Sequence, residues 1–206
     1  KEYVLAKRSG QVLLHSTGIG DTMTFPANPK IVDNGVYQLD LQHNLIVPHW
    51  VGKAKFSQLA LDDTGQQLAF LLDTDTTKAR IRPWKLCYRA PKQDSTSVIA
   101  TNQSGFLQKM DARHPDAWGI SENAKPVFSE DGSKLYFGIA PSPLLNDTTL
   151  LPEEIVNVEV WAWTENRIYT QQKVLLESEK KRSYPVVWHT AKNKFVPLGS
   201  PGIPEI

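Results

Sequence analysis

The stretch VFSEDGSKLYFG, residues 127–138, consists of two short apolar segments joined by an acidic turn. Asp131 and Gly132 stand at the centre of the turn, and apolar residues resume at Leu135. Glycine adopts a positive φ without the steric cost of a Cβ, and a short Asp side chain hydrogen-bonds the backbone of its own turn. The stretch therefore predicts two antiparallel strands connected by a tight turn.

Two earlier parts of the chain follow the same pattern. A polar turn containing Gly65 precedes the apolar run QLAFLLD, and one containing Gly10 precedes QVLLHST. Alignment of the three glycines predicts these equivalent positions: Leu13 with Leu68 and Leu135, Phe70 with Phe137, and Leu61 with Phe128. The chain therefore contains an internal repeat that begins with this hairpin.

A second hairpin follows each of the first ones. The segments 36–48, 84–101 and 184–199 each hold two apolar runs, with turns at residues 42–44, 91–95 and 191–193. The repeated unit thus has four antiparallel strands, which is the composition of one β-propeller blade. A β-sandwich with coincidental turns is the alternative, and the shared strand order of the repeats favours the propeller.

These repeats predict an all-β fold, a partial β-propeller of about three four-stranded antiparallel blades that is a fragment of a larger ring. The predicted blades are residues 1–54, 55–116 and 117–200, with 201–206 beginning a further blade or a linker. The repeats are longer than a usual blade of roughly 40–50 residues, which predicts insertions between the second and third strands. We place these insertions at residues 22–34, 73–83 and 141–157. A short amphipathic helix is predicted over residues 169–181.

Composition narrows the classes of function. The 206 residues carry 23 Lys and Arg against 22 Asp and Glu, a net charge of +1, which removes the electrostatic argument for nucleic-acid binding. The single cysteine, Cys87, excludes an internal disulfide and a cysteine-based zinc site. No run approaches the ~18 apolar residues of a membrane-spanning helix. The amino-terminal residues lack the apolar core of a signal peptide, and both ends suggest an excised segment.

Neither a metal site nor a cofactor is predicted. None of the histidines lies in an H-E-x-x-H motif; they are His15, His43, His49, His114 and His189. His43 and His49 flank the strand LIVP, where isolated histidines are the favoured interpretation over a shared metal site. The sequences DDT (62–64) and DTDTT (73–77) lack the spacing of a calcium loop and are typical of turns.

Two further groups are candidate functional residues. The triplet Ser129-Glu130-Asp131 is interpreted as turn stabilisation rather than as a catalytic acid pair, because acidic residues recur at Asp62-Asp63. Trp161 and Trp163 lie two residues apart in the predicted strand NVEVWAW and would face the same side. Packing between blades is their favoured role, and a platform for a peptide is the alternative.

The segment SENAKPVFSEDGSKLYFG (121–138) resembles the WD40-like repeat of TolB and of the propellers of prolyl oligopeptidase-type serine peptidases. The shared pattern is a proline, an apolar-aromatic-serine step and an Asp-Gly turn, here Pro126, residues 127–129 and residues 131–132. Three stretches look like the amino-terminal propeller of large bacterial S9-family peptidases: QLALDDTGQQLAFLLD (58–73), EEIVNVEVWAWTEN (153–166) and RSYPVVWHTAKNKFVPLG (182–199). The resemblance covers most of residues 55–206, and residues 1–54 more loosely.

The resemblance implies an intact protein with a carboxyl-terminal α/β-hydrolase domain that holds a Ser, Asp and His triad. The chain has no G-x-S-x-G motif, since LGSPG (198–202) lacks its first glycine, and no catalytic residue is assigned. The expected function is a non-catalytic propeller segment that gates peptide access to the hydrolase. The expected partners are the remaining blades, the hydrolase domain and a peptide substrate. The compartment, periplasm or cytoplasm of a bacterium, stays open.

Two alternatives belong to other classes. A TolB-like propeller without a peptidase would dock another protein, and a carbohydrate-processing propeller would need paired carboxylates, of which the sequence gives no sign. In each reading an open arc of blades would expose two sheet faces that neighbouring blades normally bury. The isolated segment is therefore expected to self-associate or to be marginally stable.

Overall fold

The structure, a computed structural model, describes residues 2–17, 34–75, 77, 81–110, 118–143 and 167–201. These residues form three antiparallel sheets, in which consecutive strands are hydrogen-bonded neighbours except that β9 of the third sheet pairs with β11. The predicted fold class is confirmed: the chain is all-β, a partial propeller of three four-stranded blades. The blade boundaries themselves stay a prediction.

The strands follow one another in the order of the chain. The first sheet contains β1 (Glu2–Leu5), β2 (Gln11–Thr17), β3 (Asn34–Asp40) and β4 (Leu45–Val51). The second sheet contains β5 (Lys55–Leu61), β6 (Leu68–Asp73), β7 (Lys85–Arg89) and β8 (Ser97–Ala100). The third sheet contains β9 (Trp118–Ile120), β10 (Val127–Phe128), β11 (Lys134–Pro141), β12 (Tyr184–His189) and β13 (Lys194–Pro197). In that sheet β9 and β10 both pair with β11 and together take the place of one strand.

The described residues also form two helices. Helix α1 (Gly105–Gln108) follows β8, and its Leu107 is fully buried. Helix α2 (Tyr169–Lys180) confirms the helix predicted at residues 169–181 and belongs to a separate compact unit, residues 143–182. Within that unit Glu179 accepts hydrogen bonds from Arg167 at 3.0 Å and Arg182 at 2.8 Å.

The second hairpins turn where the sequence predicts. Strands β3 and β4, β7 and β8, and β12 and β13 are joined by turns in which Asn44, Lys92 and Asn193 have φ of 51°, 63° and 47°. The segment YPVVWHT forms β12, the third strand of its sheet, whereas NVEVWAW lies outside the described residues. The insertion predicted at 73–83 falls in the connection from β6 to β7, of which residues 76 and 78–80 lie outside the described residues. Those predicted at 22–34 and 141–157 lie almost entirely outside the described residues.

The first turns of the three sheets share one backbone pattern. The N–H of Asp62 donates to the carbonyl of Gln67 at 3.0 Å, and that of Ser129 donates to Lys134 at 2.9 Å. Gly65 lies three residues after Asp62, and Gly132 lies three residues after Ser129. The φ angles of these two glycines are 76° and 67°. Both backbones therefore take the left-handed conformation that favours glycine.

The alignment of the first repeat is wrong by one residue. In the first sheet the matching bond runs from the N–H of Ala6 to the carbonyl of Gln11 at 3.0 Å, so Gly10 is the fourth residue of that turn and not the third. Leu13 pairs with Val4, and Val12 is the residue that corresponds to Leu68. Because side chains alternate between the faces of a strand, this slip places Leu13 on the opposite face.

The other equivalences are confirmed. Leu61 pairs with Leu68 as Phe128 pairs with Leu135. Leu68 and Phe70 pack toward the first sheet, and Leu135 and Phe137 pack in the same sense toward the second.

Strand β6 is the centre of the packing, because all six of its residues are buried. Its residues Leu68, Phe70 and Leu72 share a core with Leu13 and Val36 of the first sheet. Its alternate residues, Ala69 and Leu71, belong to the core that the second sheet forms with the third. A strand buried on both faces requires a sheet on each side, as the middle blade of an arc has.

Aromatic rings fill the core between the second and third sheets. The rings of Tyr88 and Trp188 meet edge to face with centroids 4.8 Å apart, and Phe106 stacks on Phe195 at 4.5 Å. Such pairs stabilise a packed interface beyond the area that they bury. Trp188 thus takes part in the packing between sheets.

A glutamine of each preceding sheet bonds the turn glycine of the next, an interaction that we call the turn-glycine bond. Gln38 Nε2 donates to the carbonyl oxygen of Gly65 at 2.7 Å, and Gln67 Nε2 donates to that of Gly132 at 3.0 Å. The Tyr88 hydroxyl donates to Gln67 Oε1 at 2.6 Å, so this amide is held at both ends. All three of these side chains are buried, where an unpaired amide would be costly.

The close approach of the preceding sheet leaves no room for a side chain at either turn. A Cβ on Gly132 would lie 2.5 Å from Gln67 Nε2, and one on Gly65 would lie 2.5 Å from Gln11 Cγ. Glycine is thus required at these two positions by its positive φ and by the close approach of the preceding sheet.

A bulge in β5 connects the second sheet to both others. Gln58 has a φ of 54°, and its side chain donates to the carbonyl of Glu122 at 2.6 Å. The next N–H, that of Leu59, donates to Glu2 Oε1 at 3.0 Å. In the third sheet Pro126 is the residue equivalent to Leu59, because each lies two residues before the end of its strand, β10 or β5. A proline has no N–H, so this position needs no acceptor there.

The substitution Gly132→Ala is expected to lower the free energy of unfolding by about 2–3 kcal/mol. About 1–2 kcal/mol comes from the left-handed backbone, and ~1 kcal/mol comes from the hydrogen bond that the displaced Gln67 loses. Chemical denaturation measures the change. Gly105→Ala is the matched control, because a Cβ there meets no atom within 4 Å, and it should leave stability unchanged or slightly raised. Equal losses in the two variants would contradict the role of the turn-glycine bond.

Candidate functional site

The first turns of the three sheets meet in a cluster of charged side chains, which we call the turn cluster. The N–H of Arg8 donates to the carbonyl of Asp63 at 2.8 Å, and its guanidinium contacts Glu130 Oε1 at 2.7 Å. Lys7 Nζ lies 3.4 Å from Asp63 Oδ1. Arg8 therefore connects the turn of its own sheet to the turns of the other two.

The turn cluster is a solvated feature. The side chains of Arg8 and Glu130 are 58% and 81% exposed, and exposed ion pairs contribute little to stability. It presents charge of both signs at the first turns of the three sheets. This arrangement can contact a polar partner, and it contains no nucleophile paired with a base.

The triplet Ser129-Glu130-Asp131 stabilises its turn, as predicted. Ser129 Oγ donates to Asp131 Oδ1 at 2.6 Å, and Ser133 Oγ donates to Asp131 Oδ2 at 2.7 Å. These hydrogen bonds, that of Ser129 first, hold the pKa of Asp131 well below its usual range. A carboxyl group that stays ionised in this way is unsuited to act as a general acid.

The other acidic segments are also turns. Asp62 accepts from the Thr64 hydroxyl at 2.5 Å and from the N–H of Gln67 at 2.8 Å. Asp75 accepts from the N–H of Thr77 at 2.8 Å and from its hydroxyl at 2.7 Å, and the pKa of Asp75 is lowered by these bonds, the backbone one first. Across the described ranges, no group of three or more His, Cys, Asp or Glu residues is placed to hold a metal ion.

The histidines have separate partners. His43 Nδ1 lies 2.8 Å from Asp40 Oδ2, His49 Nε2 lies 2.9 Å from Gln38 Oε1, and His15 Nε2 lies 3.2 Å from Asn34 Oδ1. His43 and His49 thus do not share a partner. His114 lies outside the described residues.

A groove of about 440 Å³ lies between the first and second sheets. Gln11 and Gln38 of the first sheet and Gly65 of the second contribute to its wall, so the turn-glycine bond is part of the groove. Arg89 and Lys92 line the side formed by the second sheet. The groove brings polar and charged groups of both sheets together.

A buried polar chain leads inward from the groove. Gln38 has three hydrogen-bond partners. Its Nε2 donates to Gln11 Oε1 at 3.0 Å and to the carbonyl of Gly65, and its Oε1 lies within hydrogen-bond distance of His49 Nε2. Burial first, and then the charge of Arg89, lowers the pKa of His49 from 6.5 to about 4. His49 is therefore neutral at pH 7 and donates its Nε2 proton to Gln38.

The tryptophans singled out in the sequence, Trp161 and Trp163, lie outside the described residues, and their role stays a prediction. Of the described tryptophans, Trp84, Trp118 and Trp188 are buried. Trp84 Nε1 donates to Glu122 Oε2 at 3.1 Å. No helix in the described part of the chain is long and apolar enough to cross a membrane.

Comparison with known proteins gives limited similarity. No protein-family model matches the chain, and no curated protein sequence does. Among solved structures, dipeptidyl peptidase 4 of Porphyromonas gingivalis matches with a TM-score of 0.46 and 14% sequence identity. The match covers 98% of this chain and 26% of that one, so the chain spans about a quarter of the length of the matched protein.

The low pKa of His49 predicts a pH-dependent stability. Between pH 6.5 and about 4 the unfolded chain binds a proton at His49 that the folded chain does not bind. The free energy of unfolding should therefore fall as pH decreases through this window, by on the order of 3 kcal/mol. His49→Gln removes the titrating group and should make the decrease between pH 7 and pH 4 smaller by that amount, as measured by urea denaturation. The same decrease in both proteins would contradict this assignment.

Proposed function

We propose that this chain is a non-catalytic propeller segment of a prolyl oligopeptidase-like serine peptidase, in which it gates the access of peptides to an α/β-hydrolase domain. The observation that carries the proposal is the incomplete packing of the arc. The outer face of β1 exposes Tyr3 and Leu5 at 69% and 60%, and that of the third sheet exposes Val127 at 55%. Apolar sheet faces of this kind are covered by neighbouring blades in a closed propeller.

The resemblance of residues 121–138 to the WD40-like repeat supports the peptidase assignment. In the structure these residues form β10, its turn and most of β11, so the motif occupies the position that the repeat requires. The serine within it, Ser129, is bonded within its turn and has no histidine partner among its hydrogen bonds. Hydrolysis is therefore assigned to another part of the intact protein.

The decisive experiment uses the product of the complete gene. We expect a fluorophosphonate probe to label one serine outside residues 1–206, and we expect kcat/KM to fall steeply as peptide substrates become longer. Replacement of the labelled serine by alanine is the control and should abolish both labelling and hydrolysis. Absence of labelling would overturn the peptidase proposal in favour of a TolB-like docking propeller, and equal hydrolysis of short peptides and unfolded proteins would overturn the gating role.

The exposed outer faces also predict the behaviour of residues 1–206 expressed alone. The segment should self-associate through these faces or unfold at a low temperature, because water would otherwise contact apolar surface that a neighbouring sheet covers in a ring. Light scattering and thermal denaturation measure the two outcomes. Substitution of Tyr3 and Leu5 by Lys should reduce self-association, and a stable wild-type monomer with a high Tm would contradict the account.

A further inference from the structure

The groove between the first and second sheets has the size of a ligand site. Its volume of about 440 Å³ falls within the roughly 300–1,000 Å³ of ordinary small-molecule pockets. It opens at the ends of the strands where the turns β3–β4 and β7–β8 lie. The first sheet contributes Leu45 and Val47 to its lining, and the second contributes Arg89 and Lys92.

Arg89 is a partly buried cation with incomplete pairing. Its Nη2 donates to the carbonyl oxygen of Gln66 at 2.9 Å, while its Nε–H is buried and has no acceptor among the described residues. Desolvation is the main effect on Arg89 and lowers the pKa of its guanidinium. The carboxylates of Asp94 and Asp62 act in the opposite direction and raise it. A guanidinium that has lost water without gaining a carboxylate is costly, and a bound carboxylate would recover that cost.

Lys92 adds a second positive charge to the same side. It lies in the β7–β8 turn with a φ of 63°, and its side chain forms no ion pair among the described residues. Its position three residues after Arg89 places both cations in the lining of one groove. Together they present charge-assisted donors to a single anionic group.

The acidic residue of the groove is already engaged. Asp40 accepts from the N–H of Gln42 at 2.9 Å, from the N–H of His43 at 3.0 Å and from His43 Nδ1 at 2.8 Å. The hydrogen bond from the His43 side chain is the main reason that the pKa of Asp40 is lowered to about 2. Asp40 therefore fixes the β3–β4 turn as an ionised carboxylate, and it forms no ion pair with Arg89 or Lys92 among the described residues, so the two cations outnumber this one anion in the lining.

The opposite side of the groove is aliphatic. Leu45 is 49% exposed and Val47 is half-buried, so an apolar group in the groove would contact both. The lining thus combines two cations, an aliphatic surface and Ser9, whose buried hydroxyl has no hydrogen-bond partner among the described residues. A ligand that matches all three has a carboxylate, an aliphatic side chain and a peptide group.

We propose that this groove binds the carboxyl terminus of a short peptide that ends in an aliphatic residue. Arg89 and Lys92 hold the terminal carboxylate, and Leu45 and Val47 contact the last side chain. No covalent step is involved. The proposal is independent of the proposed function, because it rests on binding to residues of the first two sheets.

The test is a calorimetric titration of the complete gene product with N-acetyl-alanyl-leucine and with its carboxyl-terminal amide. We expect saturable binding of the acid and at least tenfold weaker binding of the amide, which lacks the charge. Arg89→Gln should weaken binding of the acid at least tenfold. Lys92→Asn should weaken it by about threefold while keeping a residue that tolerates positive φ.

Two controls make the result decisive. Lys53→Gln removes an exposed positive charge at the far end of the strands, between β4 and β5, and should leave binding unchanged. 4-Methylpentanoate carries the carboxylate and the aliphatic chain without a peptide group, and equally tight binding of it would overturn the assignment to peptides. Equal binding of acid and amide, or saturation by neither, would overturn the site itself. If Arg89→Gln does not fold, the affinity of Lys92→Asn and the comparison of the peptide acid with its amide still test the site.

Discussion

The structure depends on the hydrogen bond between a glutamine side chain and the carbonyl of a turn glycine in the next sheet. Gly65 and Gly132 turn with a positive φ, and this conformation directs each carbonyl toward the preceding sheet. The absence of a Cβ lets Gln11 and Gln67 approach the turn closely. Glycine at these positions thus allows the positive φ of the turn, accepts a hydrogen bond from the buried amide and permits the close spacing of the sheets.

Sheet packing follows from this spacing. Because β6 is held between two sheets, its alternate residues, such as Phe70 and Leu71, belong to two different cores. Within the described residues the first and third sheets each contribute to one of these two cores, and their outer faces expose side chains such as Leu5 and Val127 while Tyr37 and Val187 are buried there. Both end sheets of the described part of the chain thereby expose apolar side chains, and the proposed place in a larger ring rests on this exposure.

Local signals made the hairpins and the strand order predictable, because Asp-Gly turns and alternating apolar residues act over a few positions. The equivalence of Leu13 with Leu68 was wrong because Gly10 stands one position later in its turn than Gly65 does, and a one-residue slip reverses the faces. The polar groove was not predicted, since it combines Gln38 and Arg89 from different sheets. A buried glutamine within the apolar run VYQLDL was the one local sign of it.

The most direct measurement is the reaction of the single cysteine with a thiol reagent. Cys87 is fully buried in the core between the first and second sheets, and burial raises the pKa of its thiol to about 12, so it reacts only when this interface opens. Gly65→Ala, whose Cβ would meet Gln11 and Ser9 of the first sheet and so push that sheet away from the turn-glycine bond, should raise the rate of labelling about thirtyfold, as a loss of ~2 kcal/mol implies. Gly105→Ala should leave the rate unchanged. An unchanged rate in Gly65→Ala would contradict the claim that this bond holds the sheets together.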